Sequence, residues 1–289
     1  MIEIPKFKVH CSAISQIMTE SRAKSKAEIL AELDAKIAAE QLKHDGIKDG
    51  LKSKANAAEK IERLKSEQAE ASKAPDVKPL SQTAKTYCEN WLTEILYGRR
   101  KEFTSIQTAK GNAVELEAVD FAADVLGWGF TVTQDTSAGN EYIVGKCDVL
   151  RREAGIVHDI KSSFDCFTFP LYADQIPDEK YVWQVQGYCN LYGVDRASVV
   201  YCLMNIPDEI IKWMCYKEFG QFYTREQFEQ LKAHYSYDHL PTWQRIREFE
   251  FEYQPELIER VNARVLECRK YINSLVSKLE AGKFYTSND

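Results

Sequence analysis

No apolar run in the sequence approaches the roughly 18 residues that cross a bilayer. The opening MIEIPKFKVH lacks the basic start and apolar stretch of a secretory signal, so a cytoplasmic protein is expected. Paired cysteines are missing too. Cys11, Cys88, Cys147, Cys166, Cys189, Cys202, Cys215 and Cys268 stand singly, which leaves no Cys-x2-Cys element for a structural zinc site or a dithiol redox centre. In a reducing compartment they are expected to act as small buried hydrophobes. An excess of positive charge is also lacking: the net charge is −6, whereas a protein that holds nucleic acid through its phosphates alone should be basic. This weighs against a simple binding module. It weighs less against an enzyme that seats a polyanion in a local basic channel, with cations offsetting an acidic centre. No internal repeat is visible.

The 289 residues, 44% hydrophobic and 28% charged, have an ordinary soluble globular composition. Three regions differ in character. Residues 1–18 contain FKVHCSAISQIM, read as a strand followed by a turn or helix start, a segment packing on the core. Residues 19–75 are rich in Ala, Lys and Glu and almost free of aromatics. They predict two helices broken near Gly46 and Gly50, an exposed charged arm or hairpin, since the stripe Ile29, Leu33, Ile37 fades before a coiled coil can accumulate. From residue 80 to 289 aromatics return. Helices are predicted from Ser81 and over 111–126, 178–192 and Pro255–Gly282. Strands are predicted at 130–136, 141–150, 155–163, 196–205 and 210–216. The mixture indicates an α/β or α+β domain.

The chemistry concentrates at Gly145-Lys146-Cys147-Asp148-Val149-Leu150 and Ile156-Val157-His158-Asp159-Ile160-Lys161, two β-rich runs joined by a polar segment ending in Gly155. A hairpin centred between Glu153 and Ala154 sets Asp148 directly opposite Asp159. Facing residues share one side of the sheet, with Cβ atoms roughly 4.5–5.5 Å apart. Two facing carboxylates repel unless a cation lies between them. Lys161, two residues on, shares the face of Asp159, while Ile160 points away. Hard oxygen donors converging in this way suit Mg2+ or Mn2+, with the Ile160 backbone carbonyl as a further ligand.

Upstream, the helical wheel of residues 111–126 puts Glu117, Asp120 and Asp124 on a polar stripe. Glu115 falls beside Val119, Ala122 and Leu126, at the edge of the apolar face. An unpaired charge facing the sheet there is costly, and a metal or a lysine would answer that cost. Downstream, Gln184 and Tyr188 lie one helical turn apart and share a face, from which either reaches a phosphate or Lys161.

Taken in order, G-x-x-x-E (Gly111, Glu115), G-x-x-D (Gly145, Asp148), D-I-K (Asp159, Ile160, Lys161) and Q-x-x-x-Y (Gln184, Tyr188) resemble the lambda-exonuclease/YqaJ branch of the PD-(D/E)xK nucleases. Q-V-Q before an apolar helix and T-F-P at Thr168–Pro170 look like its phage members. The similarity covers roughly residues 80–205, with an echo at His10–Ser15; residues 19–75 have no counterpart in it. Cys147 takes the place of the class proline, which is not a ligand. Asp159 stands where glutamate is commoner, one methylene shorter.

The resemblance implies a restriction-endonuclease-like core, a central mixed sheet flanked by helices. It implies phosphodiester hydrolysis by a metal-activated water, with Asp148, Asp159, the Ile160 carbonyl and Glu115 as ligands or water-orienting groups. Lys161 would position or help deprotonate the attacking water and steady the phosphate, and Gln184 would orient Lys161 or the scissile strand. Ser12 and Ser15 would contact a terminal phosphate, with Tyr188 as a further substrate contact. It further implies a 5′→3′ exonuclease on double-stranded DNA ends that leaves 3′ overhangs, serves phage-type recombination beside a single-strand-annealing protein, and forms a ring-shaped homo-oligomer. Three alternatives stay open. One is a structure- or site-directed endonuclease on the same core. Another is a relative of iron–sulfur nucleases, disfavoured by the isolated Cys268. The third is a non-catalytic DNA-binding or scaffold protein.

Overall fold

The computed structural model describes residues 2–48, 51–73, 79–101, 105–129 and 136–282. The chain divides into two compact units, Thr19–Thr86 on one hand and Met1–Met18 with Tyr87–Asp289 on the other.

In the smaller unit the Ala/Lys/Glu-rich sequence forms the expected hairpin, α2 (Lys26–Asp45) and α3 (Lys52–Lys73), after α1 (Ile14–Met18) of the larger unit. Ser25 caps α2 reciprocally with Glu28, a capping box that satisfies two otherwise orphaned amides. Leu33, Ala57, Ile61 and Leu64 are the buried residues of these two helices, a short seam. Ile29 of the anticipated stripe stays exposed. Gly46 ends α2, and Gly50 lies outside the described residues. The next helix, α4 (Gln82–Tyr97), starts as expected behind Ser81, whose hydroxyl accepts from Ala84 N at 3.1 Å.

The larger unit holds two mixed sheets. In the first, β3 (Ile143–Gly145) lies between β1 (Val9–His10), parallel to it, and β2 (Ala138–Gly139), antiparallel. The second, ordered β4-β5-β6-β7, comprises β4 (Val149–Arg151), β5 (Ile156–Ser162), β6 (Arg196–Cys202) and β7 (Ile246–Glu252). Within it β5 runs parallel to β6, and both outer pairs are antiparallel. The two inner strands are buried almost throughout, as expected of strands covered on both faces. On one face lies α6 (Glu115–Val125), whose Ala118, Val119 and Ala122 join Val149, Ile160 and Val200 in a core capped by Trp128. On the other lies α7 (Lys180–Tyr192).

Several expectations change on contact with this fold. The run 141–150 is two strands in different sheets, separated at Lys146–Asp148. The strand expected at 130–136 falls, except for Thr136, outside the described residues. Residues 210–216 are not a strand but the middle of α8 (Asp208–Phe219). There Ile210, Ile211, Met214 and Cys215 repeat at helical spacing, and Asp208 and Glu209 complement the helix start. The helix expected over 111–126 is two, α5 (Ile106–Ala113) and α6, broken at Val114. Also formed, and not anticipated, are β7 and α9 (Arg225–His234). The tail is one long helix, α10 (Pro255–Glu280), with the proline at its first turn.

The N-terminal segment packs under α7. Cys11, in a 3-10 turn (Cys11–Ala13), meets both Gly145 and Gly187 so closely that a Cβ on either would lie 2.7–2.8 Å from its sulfur. No larger residue fits at these two positions without a shift. Arg269 of α10 fastens the same segment, donating to the Phe7 carbonyl at 2.9–3.0 Å and to the Glu141 carbonyl at 2.7 Å. Seven of the eight cysteines are buried and all are free thiols, as the sequence suggested; Cys166 is exposed. No described helix is long and apolar enough to cross a membrane.

Candidate active site

The turn between β4 and β5 is a single 3-10 turn, Arg152–Ala154, closed by Gly155 at φ +64°, a left-handed conformation that suits glycine. It fixes the register Val149↔His158, Leu150↔Val157 and Arg151↔Ile156. Asp148 stands just before β4, one residue beyond the Val149↔His158 pair, and its carboxylate lies beside Asp159 and Ile160 of β5. Alternation then sorts β5 by face. His158 and Ile160 turn toward α6, where His158 stacks on Trp128 and bonds Ser198 Oγ at 2.7 Å. Asp159 and Lys161 turn toward α7.

Asp148 does more than stand beside Asp159. Its Oδ2 accepts the Ile160 amide at 2.6 Å, taking a place beside β5 that a backbone carbonyl would otherwise occupy. Gln184 of α7, also buried, spends both amide hydrogens here, one on Asp159 Oδ1 at 2.8 Å and one on Tyr188 Oη at 2.9 Å. Gln184, expected to orient Lys161 or the scissile strand, donates here to Asp159. Lys161 Nζ stands 2.7 Å from Asp159 Oδ2, and this ammonium is the partner of that buried oxygen. The ammonium also lies 4.7 Å from the centre of the Tyr181 ring, a favourable cation–π placement.

These groups open into a cavity of about 610 Å3 that brings Gly111, Glu115, Asp148, Asp159, Ile160, Lys161 and Gln184 together. Glu115 is placed differently from expectation. The helix break at Val114 puts it in the first turn of α6, exposed rather than pressed on the sheet. It lines the cavity exposed to solvent, so no buried-charge cost calls for a metal at that position. Tyr188 is buried beneath Gly145, and Ser12 and Ser15 lie on the N-terminal turn and α1; none of the three is among the cavity lining.

Electrostatics divides the acids from the lysine. Burial pushes Asp148 up to about 7, and Asp159 adds to this against the Ile160 amide and Lys161. Burial also raises Asp159, with Lys161 opposing and Glu115 reinforcing. For Lys161 burial acts downward, but Asp159 and Asp148 outweigh it and hold the ammonium above the usual lysine range. Two buried carboxylates that resist ionising together, with a single ammonium beside them, fit a hard divalent cation. Among the described residues no three His, Cys, Asp or Glu side chains gather into one metal-binding cluster. The Asp148–Asp159 pair and a main-chain oxygen would supply donors, with Glu115 on the wall of the same cavity.

Sequence reasoning missed several groups. Tyr201 lines the cavity because β6 places it beside Lys161; period-two reading from Asp159 to its parallel neighbour would have found it only with the β5–β6 register known. Thr168 and Tyr181 line it as well. Lys110, adjacent to Gly111, is wholly buried, and its Nζ donates to the carbonyls of Ser163 (2.6 Å), Phe164 (2.9 Å) and Met204 (2.6 Å). It pins α5 to the ends of β5 and β6. Nothing local in the sequence marks it.

Comparison with solved structures gives the architecture a context. A phage-related exonuclease from Haemophilus somnus 129PT superposes with a TM-score of 0.63 at 21% identity, over 95% of this chain and 97% of that one. An alkaline exonuclease from Laribacter hongkongensis gives 0.54 at 12% identity, over 97% and 95%. The structure of that enzyme in complex with dAMP gives 0.51 at 14%, over 96% and 94%. The chain has the fold of these exonucleases. No protein-family model matches the sequence, and no curated protein matches it significantly.

Proposed function

We propose that this chain is a metal-dependent deoxyribonuclease that hydrolyses phosphodiester bonds from the ends of duplex DNA, using Mg2+ or Mn2+. The observation that carries the reading is the buried pair Asp148 and Asp159 with Lys161 Nζ 2.7 Å from Asp159, opening into one cavity. The fold shared with exonucleases, one of them crystallised with dAMP, supports it. Asp148, Asp159 and the Ile160 carbonyl would hold the cation, which when bound makes water more acidic and offsets charge on the phosphate.

The protein groups divide the remaining work. Gln184 fixes Asp159 Oδ1, while Oδ2 lies against the Lys161 ammonium. Lys161, held protonated by the two acids, is a fixed positive charge for the phosphate oxygens rather than a base. Glu115, exposed on the cavity wall, is the carboxylate left to take the proton of the attacking water. By the family resemblance we take the direction as 5′→3′ and the setting as phage-type recombination beside a single-strand-annealing protein. A ring-shaped oligomer belongs to the same reading, and sedimentation as a monomer at working concentration would remove it.

The test is digestion of end-labelled linear duplex and of covalently closed circles, with and without Mg2+. Linear DNA should shorten only with the metal, and the closed circle should survive; cutting of the circle would replace the exonuclease with an endonuclease. Asp148→Ala and Lys161→Ala should each lower the rate at least a hundredfold. Unchanged cleavage by either purified variant would refute the assignment.

A further inference from the structure

Away from the acids, the outer edge of β7 forms one wall of an open cleft of about 620 Å3. The cleft meets β7 edge-on, for Glu248, Phe249, Glu250 and Phe251 line it consecutively. The opposite wall is built by Ile176 and by Val182 and Trp183 of α7. Among the described residues no strand covers this edge, and no backbone hydrogen bond reaches Arg247–Phe251 from outside the β6 ladder. An edge of this kind presents unpaired amides and carbonyls to whatever strand can approach.

The charge of the rim selects among occupants. Asp174, Glu179, Glu248 and Glu250 line the cleft, and no lysine or arginine does. Glu248 already leans on His158 at 3.7 Å; Asp174, Glu179 and Glu250 are exposed. Two cations stand just outside the lining: Arg260 sits 5.5 Å from the Trp183 ring, and Arg247 donates to the Ala173 carbonyl. The acids repel a phosphate backbone. They would also meet like charge if a second copy presented its own β7. An apolar floor between acidic rims instead complements an extended chain that alternates apolar and basic side chains.

We propose that the β7 edge is a docking site for an extended, lysine- or arginine-bearing segment of a partner protein, added to the sheet as a fifth strand. Main-chain pairing supplies the register, apolar side chains fill the floor, and basic ones meet Asp174, Glu179 and Glu250. The inference stands apart from the nuclease reading, because binding is measured without nucleic acid.

The full chain is titrated, by fluorescence anisotropy, into a fluorescein-labelled peptide of four Lys-Val repeats. Its Glu-Val counterpart and a Lys-Val peptide N-methylated at alternate amides serve as controls. The Lys-Val peptide should bind at least tenfold more tightly than either control, and more weakly as salt rises. Glu250→Lys and, on the facing wall, Asp174→Lys should each weaken it at least tenfold, with circular dichroism unchanged. Equal binding of the Lys-Val and Glu-Val peptides would overturn the proposal, as would an N-methylated peptide that binds as well as its parent. Unaltered binding by both lysine variants would do the same. A self-associating chain whose assembly is broken by Glu250→Lys, with no peptide bound, would assign the edge to a second copy and equally overturn it.

Discussion

Replacing Asp148 with asparagine keeps an acceptor for the Ile160 amide and removes one of two carboxylates that burial penalises when ionised. The effect on stability depends on pH. In the unfolded chain Asp148 titrates near the ordinary aspartate value, whereas in the fold it is pushed up to about 7. Between those values the folded state binds more protons, so the contribution of Asp148 to stability is fully present at low pH and is lost as pH rises through about 7. Without divalent cations, Asp148→Asn should therefore melt at a higher temperature than the parent at pH 8, and the difference should close toward pH 4. Added Mg2+ should raise the melting temperature of the parent and leave the variant nearly unmoved. A variant no more stable than the parent at pH 8 would show that the acids are not in conflict. The adjacent acids were legible because a short hairpin fixes its own register; four residues and a turn decide the pairing. The role of Gln184 was legible only in part. Its face could be read from helical spacing, but the choice of Asp159 over Lys161 depends on how α7 settles on the sheet.

At the level of elements, Lys110 shows what a sequence hides. Its three acceptors lie 53, 54 and 94 residues away, and only the assembled sheet brings their carbonyls together. Burial pushes this lysine down to about 8, with Asp165 opposing. The three carbonyls act the other way, since an ammonium has a hydrogen for each and a neutral amine does not. Lys110→Met should cost about 3 kcal/mol, measured by urea unfolding, because it strands buried acceptors without a donor. A loss below about 1 kcal/mol would mean that water or a backbone shift replaces the ammonium. The two misread segments have local causes. The apolar run of α8 is short enough to mimic a strand, and only its i, i+1, i+4, i+5 spacing over Ile210–Cys215 distinguishes it. In β7 the alternation of Phe249 and Phe251 with glutamates was present, but the charged residues of IREFEFE weaken the apolar signal, and the sequence alone assigns the segment to no element. Helices with uninterrupted periodicity, such as α7 and α10, were placed nearly to the residue.

For the molecule as a whole, the division into an Ala/Lys/Glu-rich hairpin and a mixed sheet unit was visible in composition alone. The order of strands was not, since β5 pairs with β6 across the intervening α7. The fastening of the N-terminal segment by Arg269 has a consequence for the order of synthesis. Cys11 is the packing partner of Gly145 and Gly187, three residues from Asp148 and Gln184 respectively, and the segment bearing it is tied down by α10. A chain ending at Gln254 should lack cooperative melting and cleave no DNA, and Arg269→Met should lower the melting temperature of the full chain; a truncated chain with full activity would contradict this. A ribosome making the protein will have translated every residue of the acidic centre long before α10 emerges. On the proposed nuclease reading, DNA cleavage would then begin only once α10 has docked on the N-terminal segment.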